Sequence, residues 1–290
     1  MVDVLGLAPK PSVVWQRQFD RCDHILKDLA ACDWDAVRTD DLSAYLMDLN
    51  YMSDLQLDLF RHMFPACLKH WYETLMGDRG IDHGVEVDFQ LALIRRKIVD
   101  RMLVASERDR LCAFLADGFL DRVEMERGFT YDRHRSNKWI SRFNGIGLIA
   151  PVISRIWEDW WSMNGPGKAV SALKYASGLI YWRGENPIYT PWTPTDGGGG
   201  PYLTEWDGAV AESAWLQPNV TFLRSKLTPA YVVERMEAAA EVLRLEPEHA
   251  MALRLTEDAR NRMDVIELRV HAMINDLASP EFDKTSRFDF

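Results

Sequence analysis

The chain predicts an all-α fold, a multi-helix, bundle-like globule carrying one long ordered loop rich in glycine, proline and tryptophan. Three observations carry this expectation. Apolar residues recur at intervals of three and four over long stretches, the spacing that gathers them on one helical face. Helix start and stop signals separate those stretches, among them Thr228-Pro229 and Gly77. No alternation of apolar and polar residues persists long enough to mark a strand.

Taken in order, Trp15, Phe19, Cys22, Leu26 and Leu29 form one continuous face and predict a helix over about 12–31. Asp40 or Asp41 caps a short helix carrying Leu42, Tyr45, Leu46 and Leu49. Ser53-Asp54-Leu55-Gln56 fits a capping box for a helix through Leu75, with Gly77 just past its end. Pro65 inside that helix predicts a kink or a split, because proline lacks the backbone donor and crowds the preceding turn. Two helices follow, over 87–103 and 106–127, the second stopped by Gly128. A pattern over 136–161 contains Gly145, Gly147 and Pro151 and is expected to break near Pro151.

Asn164-Gly165-Pro166-Gly167 reads as a turn. The helix after it, 168–181, carries Ala169, Ala172, Ala176 and Gly178, small residues that let a neighbouring helix come close. Thr228 then caps a helix beginning at Pro229 and ending at Glu246-Pro247. A last helix extends to about Leu277, although its centre (254–264) is polar on most sides. Residues 279–290 are expected to form a frayed, flexible tail. The whole reads as a single helical domain over 1–290, with a possible subdivision into 1–130 and 131–278.

Size and composition bound the function. A chain of 290 residues, 47% of them hydrophobic and 11 of them tryptophan, can bury a large core. A formal charge of -10 argues against general binding to nucleic acid, which needs surplus Lys and Arg along the phosphate track. That charge is unevenly spread. From Asp20 to Asp58 there are ten aspartates, no glutamate and three basic residues; from Arg95 to Arg142, twelve basic residues face eight acidic ones. The acidic quarter, with Asp35, Asp40 and Asp41 at its centre, is expected either to be solvated, to face the basic stretch, or to dock a basic partner. Four cysteines without close pairing read as free thiols in a reducing cytoplasm. Neither a secretory signal nor a spanning segment is visible, since the apolar run over 146–157 is too short for a bilayer and contains Arg155. No membrane role is therefore expected.

Residues 183–218 are the most informative stretch. A long irregular segment inside a compact domain is commonly functional or disordered. Here Ile188, Tyr189, Trp192, Tyr202, Leu203, Trp206 and Trp215 favour burial over disorder. If the segment closes a pocket, Arg183 or Glu185 supplies a fixed polar group and Trp182, Trp192 and Tyr202 form apolar walls, with Trp206 beside them. Elsewhere the chemistry is thin. Asp117, Asp121 and Glu124 share a helical face, but one opposite Leu111, Leu115, Phe119 and Val123, so the trio points outward rather than into a metal-holding core. His62, Cys67 and His70 contain possible ligands without the partners that zinc requires. No nucleophile elbow or Walker motif is present. Trp157, Trp160 and Trp161 read first as core packing and second as an interface anchor.

Trp182-Arg183-Gly184-Glu185-Asn186-Pro187, followed by the four glycines 197–200, resembles a turn and glycine-rich loop of the indoleamine-type haem dioxygenases. The resemblance is confined to this stretch. It departs from the family in the extra Glu185 and in lacking the small polar run after the glycines. It implies an all-helical enzyme whose haem would take His249 or His271 as the proximal ligand. Two functions of different class are therefore expected. The first is a cytoplasmic, non-catalytic protein-binding module without a cofactor, an inhibitor or immunity-type partner of a basic protein. The second is a helical enzyme or small-molecule binder, haem-dependent in its most specific version, whose pocket the loop closes. A scaffold whose loop merely packs is the plainest reading.

Overall fold

The computed structural model describes residues 2–18, 23–51, 55–77, 85–95, 97–129, 143–144, 146, 150–181, 185–188 and 215–278, and all regular structure among them is helical. The all-α expectation is met. The chain forms two compact units, Met1–Gly118 and Phe119–Phe290.

The first unit contains α1 (Val2–Leu5), α2 (Asp23–Ala31), α3 (Thr39–Tyr51), α4 (Leu57–Met76), α5 (Val85–Arg95), α6 (Ile98–Met102) and most of α7 (Ala105–Glu124). Its core is an aromatic chain through α3, α4 and α5. Tyr45 meets Phe60 at 6.3 Å between ring centroids, Phe60 meets Phe64 at 5.7 Å, and Phe64 meets Phe89 at 5.5 Å. The apolar face expected of α3 is entirely inside, with Leu42, Tyr45, Leu46 and Leu49 buried.

The structure departs from four sequence expectations in this unit. The helix expected over 12–31 is absent over 12–18, and its described part is α2, Asp23–Ala31. Gln56 takes up the backbone before it: its amide oxygen accepts from the N–H groups of Trp15 (2.9 Å) and Gln16 (3.2 Å), and its amide donates to Val13 (2.7 Å). With those groups occupied, 13–16 cannot coil, and Trp15 is left exposed. The same contacts undo the capping box, because Gln56 sits at the N-cap of α4 with its side chain turned to another segment. Pro65 neither splits nor ends α4, which runs through it to Met76 with Gly77 as its cap. The helix expected over 87–103 is two pieces, α5 and α6, separated by a left-handed backbone at Lys97 (φ 49°).

The second unit contains α8 (Ala150–Trp160), α9 (Pro166–Ile180), α10 (Gln217–Lys226), α11 (Pro229–Val242), α12 (His249–Asn261) and α13 (Met263–Ala278). Trp157, Trp160 and Trp161 are core: Trp157 and Trp161, one turn apart, stack at 4.8 Å, and Tyr175 meets all three edge-on. Pro151 lies in the first turn of α8 as described, and the break expected near it falls against residues 147–149, which lie outside the described residues. The small residues of α9 do bring a neighbour close, since buried Arg269 of α13 donates from Nε (3.0 Å) and Nη2 (2.7 Å) to the carbonyl of Gly178. Thr228 caps α11 as expected, its hydroxyl accepting from the N–H of Tyr231 at 3.2 Å. The long last helix is two, divided at Arg262, and α10 begins at the end of the 183–218 stretch, over residues for which no helix was expected.

Candidate functional site

The acidic quarter is built around the connection between α2 and α3, residues 32–38. Three side chains of α4 hold its backbone. The His62 ring donates from Nε2 to the carbonyl of Cys32 (3.1 Å), Lys69 donates to that of Asp35 (3.3 Å), and His70 donates from Nε2 to that of Val37 (3.0 Å). A carbonyl can only accept, so this geometry places a proton on Nε2 of His70, whereas His62 faces carbonyls with both ring nitrogens, Nδ1 lying 3.4 Å from that of Ala8. On His70 the other nitrogen then faces the hydroxyl of Thr39 (3.2 Å), the first residue of α3. Positions 62, 69 and 70 lie on one side of a helix, separated by two turns. Carbonyls drawn toward α4 leave the carboxylates of the connection turned the other way.

Asp33, Asp35 and Asp40 are exposed, and Asp41 is half-buried. Asp40 and Asp41 sit in the first turn of α3, where the helix dipole favours negative charge. Arg38 approaches both, at 3.9 and 4.0 Å. Asp33 pairs with Lys10 at 3.0 Å. The fold thus brings in Lys10 and Lys69, cations that lie outside the acidic stretch of sequence and reduce its surplus. Asp35 has its backbone held and its carboxylate without a partner among the described residues.

The long loop is described only at its ends. Trp182, Arg183, Trp192, Tyr202 and Trp206 lie outside the described residues. At the near end, buried Asn186 donates to the Ser177 hydroxyl (2.9 Å) and accepts from the N–H of Ile188 (3.0 Å), so α9 and the turn are joined by one amide. Glu185 accepts from Arg262 at 3.1 Å, and that guanidinium lies 5.1 Å above the Tyr181 ring. Tyr181 donates to Asp258, which Arg254 approaches at 3.8 Å. Burial first, and then this bond to a carboxylate, pushes the Tyr181 phenol well above its ordinary range. At the far end Trp215 is buried, and the side-chain oxygen of buried Asn144 accepts from Leu216 N–H and from Asn219, both at 2.9 Å. Arg262 and Asn144 were invisible as site residues because neither belongs to a motif.

The remaining candidates fall into place individually. Asp117, Asp121 and Glu124 are exposed, as their helical face requires. Cys67 is buried in the core of the first unit, and desolvation pushes its thiol far above the usual range. His62 and His70 are occupied by the connection. Among the described residues no three His, Cys, Asp or Glu side chains converge to hold a metal, and no helix is long and apolar enough to cross a membrane.

His271, expected on an inward face with Ile274 and Leu268, is exposed, as is Leu268. Val270, Met273, Ile274 and Leu277 are the inner residues of α13, which leaves His271 one step round the helix. It stands at a cleft of about 350 Å³ between α13 and the end of α10, where Arg224, Glu267 and Asn275 also lie over a floor of Leu227, Val270 and Ile274. No known family matches this chain, and neither curated proteins nor solved structures offer a similar relative.

Proposed function

We propose that the chain is a non-catalytic binding module that docks a basic protein on the connection between α2 and α3, in an inhibitor or immunity-type role. The observation that supports this reading most is the fastening of that connection by His62, Lys69 and His70. A docking loop already held in one conformation loses little freedom on binding, and that saving goes into affinity. Exposed carboxylates on such a loop speed encounter with a basic surface and set its orientation.

The test is capture of partners from lysate by the wild-type chain and two charge-matched variants. One carries Asp35→Lys, Asp40→Lys and Asp41→Lys. The other carries Glu241→Lys, Glu257→Lys and Asp264→Lys, exposed positions of the second unit. A basic protein retained by the wild type and the second variant, and lost by the first, supports the reading. Equal loss in both variants reduces the effect to net charge and overturns it.

A second reading, a small-molecule binder, is favoured by the cleft beside α13. Its haem version receives no support from His271, which stands exposed at the mouth rather than facing an enclosed pocket.

A further inference from the structure

We infer that the cleft between α10 and α13 binds a small zwitterion of the amino-acid class, carboxylate toward Arg224 and ammonium toward Glu267. This deepens the small-molecule reading and is independent of the acidic connection.

Two opposite charges line one cleft of about 350 Å³ from different helices, Arg224 in the last turn of α10 and Glu267 in the first half of α13. They form no ion pair with each other, and neither has a partner among the described residues. Between them the floor is apolar: Leu227, Val270 and Ile274 are buried residues whose edges line the space. The Thr228 hydroxyl oxygen accepts from Tyr231, so its own proton is free to be donated into the cleft. His271 and Asn275 add polar groups at the rim.

Elimination then selects the occupant. An apolar molecule on this floor would displace water beside both charges and offer neither a partner in exchange. A simple anion would suit Arg224 and be repelled by Glu267; a simple cation meets the reverse. Only a molecule carrying both charges on a short apolar body compensates both walls while covering the floor. The volume stands at the small end of ligand pockets, a match for an amino acid rather than a cofactor.

The experiment is calorimetric titration of the full chain with each common amino acid in turn, then with the decarboxylated and deaminated analogues of the tightest. At least one amino acid should bind saturably, and each analogue should bind about tenfold more weakly, the loss of roughly 1.4 kcal/mol. Arg224→Gln should remove the preference for the amino acid over its amine analogue. Glu267→Gln should do the same for the carboxylate analogue. Both positions are exposed, and unchanged helicity by circular dichroism confirms that each variant is folded. Absence of binding by every amino acid overturns the inference. So does binding that neither substitution alters, or analogues that bind the wild type as well as the parent. None of these results bears on capture by the acidic connection, so the two proposals fail separately.

Discussion

Glu107 shows how much one side chain can hold in place. Its carboxylate accepts from the backbone N–H of Val104 at 3.1 Å, closing the start of α7, and from Arg61 of α4. The Arg61 guanidinium first, and then the Val104 N–H, hold its carboxyl below the ordinary value of 4.5 against burial, which raises it. A carboxylate depressed in the folded state stabilises it above the unfolded pKa and loses that contribution as pH falls through the folded one. Glu107→Gln should therefore lower stability by about 1.5–3 kcal/mol at neutral pH, the size of a hydrogen bond to a charged group. In urea melts at decreasing pH, the gap between the two proteins should close below about 4.5. A gap independent of pH would mean that the ion pair does not stabilise the fold. Residue-scale roles of this kind were largely illegible in the sequence. The spacing of His62, Cys67 and His70 says nothing of the role the two histidines take, because their hydrogen bonds to Cys32 and Val37 join positions about thirty residues apart. Gln56 was assigned to a cap because its local context fits one, whereas the partners it takes lie forty residues away.

Among the elements, the turn before α9 was legible and the reason for it was not. Gly165-Pro166-Gly167 presses the N-terminus of α9 against the end of α7. A Cβ on Gly167 would run into the carbonyl oxygens of Glu124 and Val123, the latter at 2.6 Å, and one on Gly165 would meet the Glu124 carboxylate. The carboxylate also lies where the dipole of α9 attracts it. Since backbone cannot yield as a flexible side chain does, Gly167→Ala should cost about 1–3 kcal/mol or more in a denaturant melt, the range of overpacked sites. A change under about 0.5 kcal/mol, the range of unremarkable surface substitutions, would show that the two helices separate without penalty. Thr228→Ala, which removes the cap of α11, should cost about 1 kcal/mol. Full retention of the melting midpoint would deny the cap its role.

The helices hardest to read are those cut by something other than glycine or proline. Lys97 interrupts an apolar pattern that looks continuous, Arg262 falls in the polar centre of the expected last helix, and α10 begins with a proline that resembles the end of a loop. Periodicity locates the buried face; it does not report where the backbone turns.

Across the whole molecule, the helical class and most of its buried faces could be read directly, since a period near 3.6 recurs through both units, although Trp15 and Leu268 stand outside. The candidate sites were legible only in part. An excess of aspartate is countable along the chain, but Lys10 and Lys69 join it through folding, so the sequence exaggerates the local charge. The fastening that makes Asp35, Asp40 and Asp41 a defined surface is likewise a property of α4 packing on 32–38. Removing it with His62→Ala and His70→Ala should raise amide hydrogen exchange over 32–39 while α5 keeps its protection. Uniform change in both would show that the histidines support the entire unit rather than the connection.

The most direct test of the account is the association rate between the captured basic protein and this chain as a function of ionic strength. For the wild type, the rate should fall steeply as salt rises from about 0.01 to 0.15 M, where the screening length shrinks from roughly 30 to 8 Å. With Asp35, Asp40 and Asp41 reversed to lysine, the rate should be slower at low salt and nearly flat. The same steep dependence in both proteins would place the attraction elsewhere on the molecule and contradict the assignment of the α2–α3 connection as the docking surface.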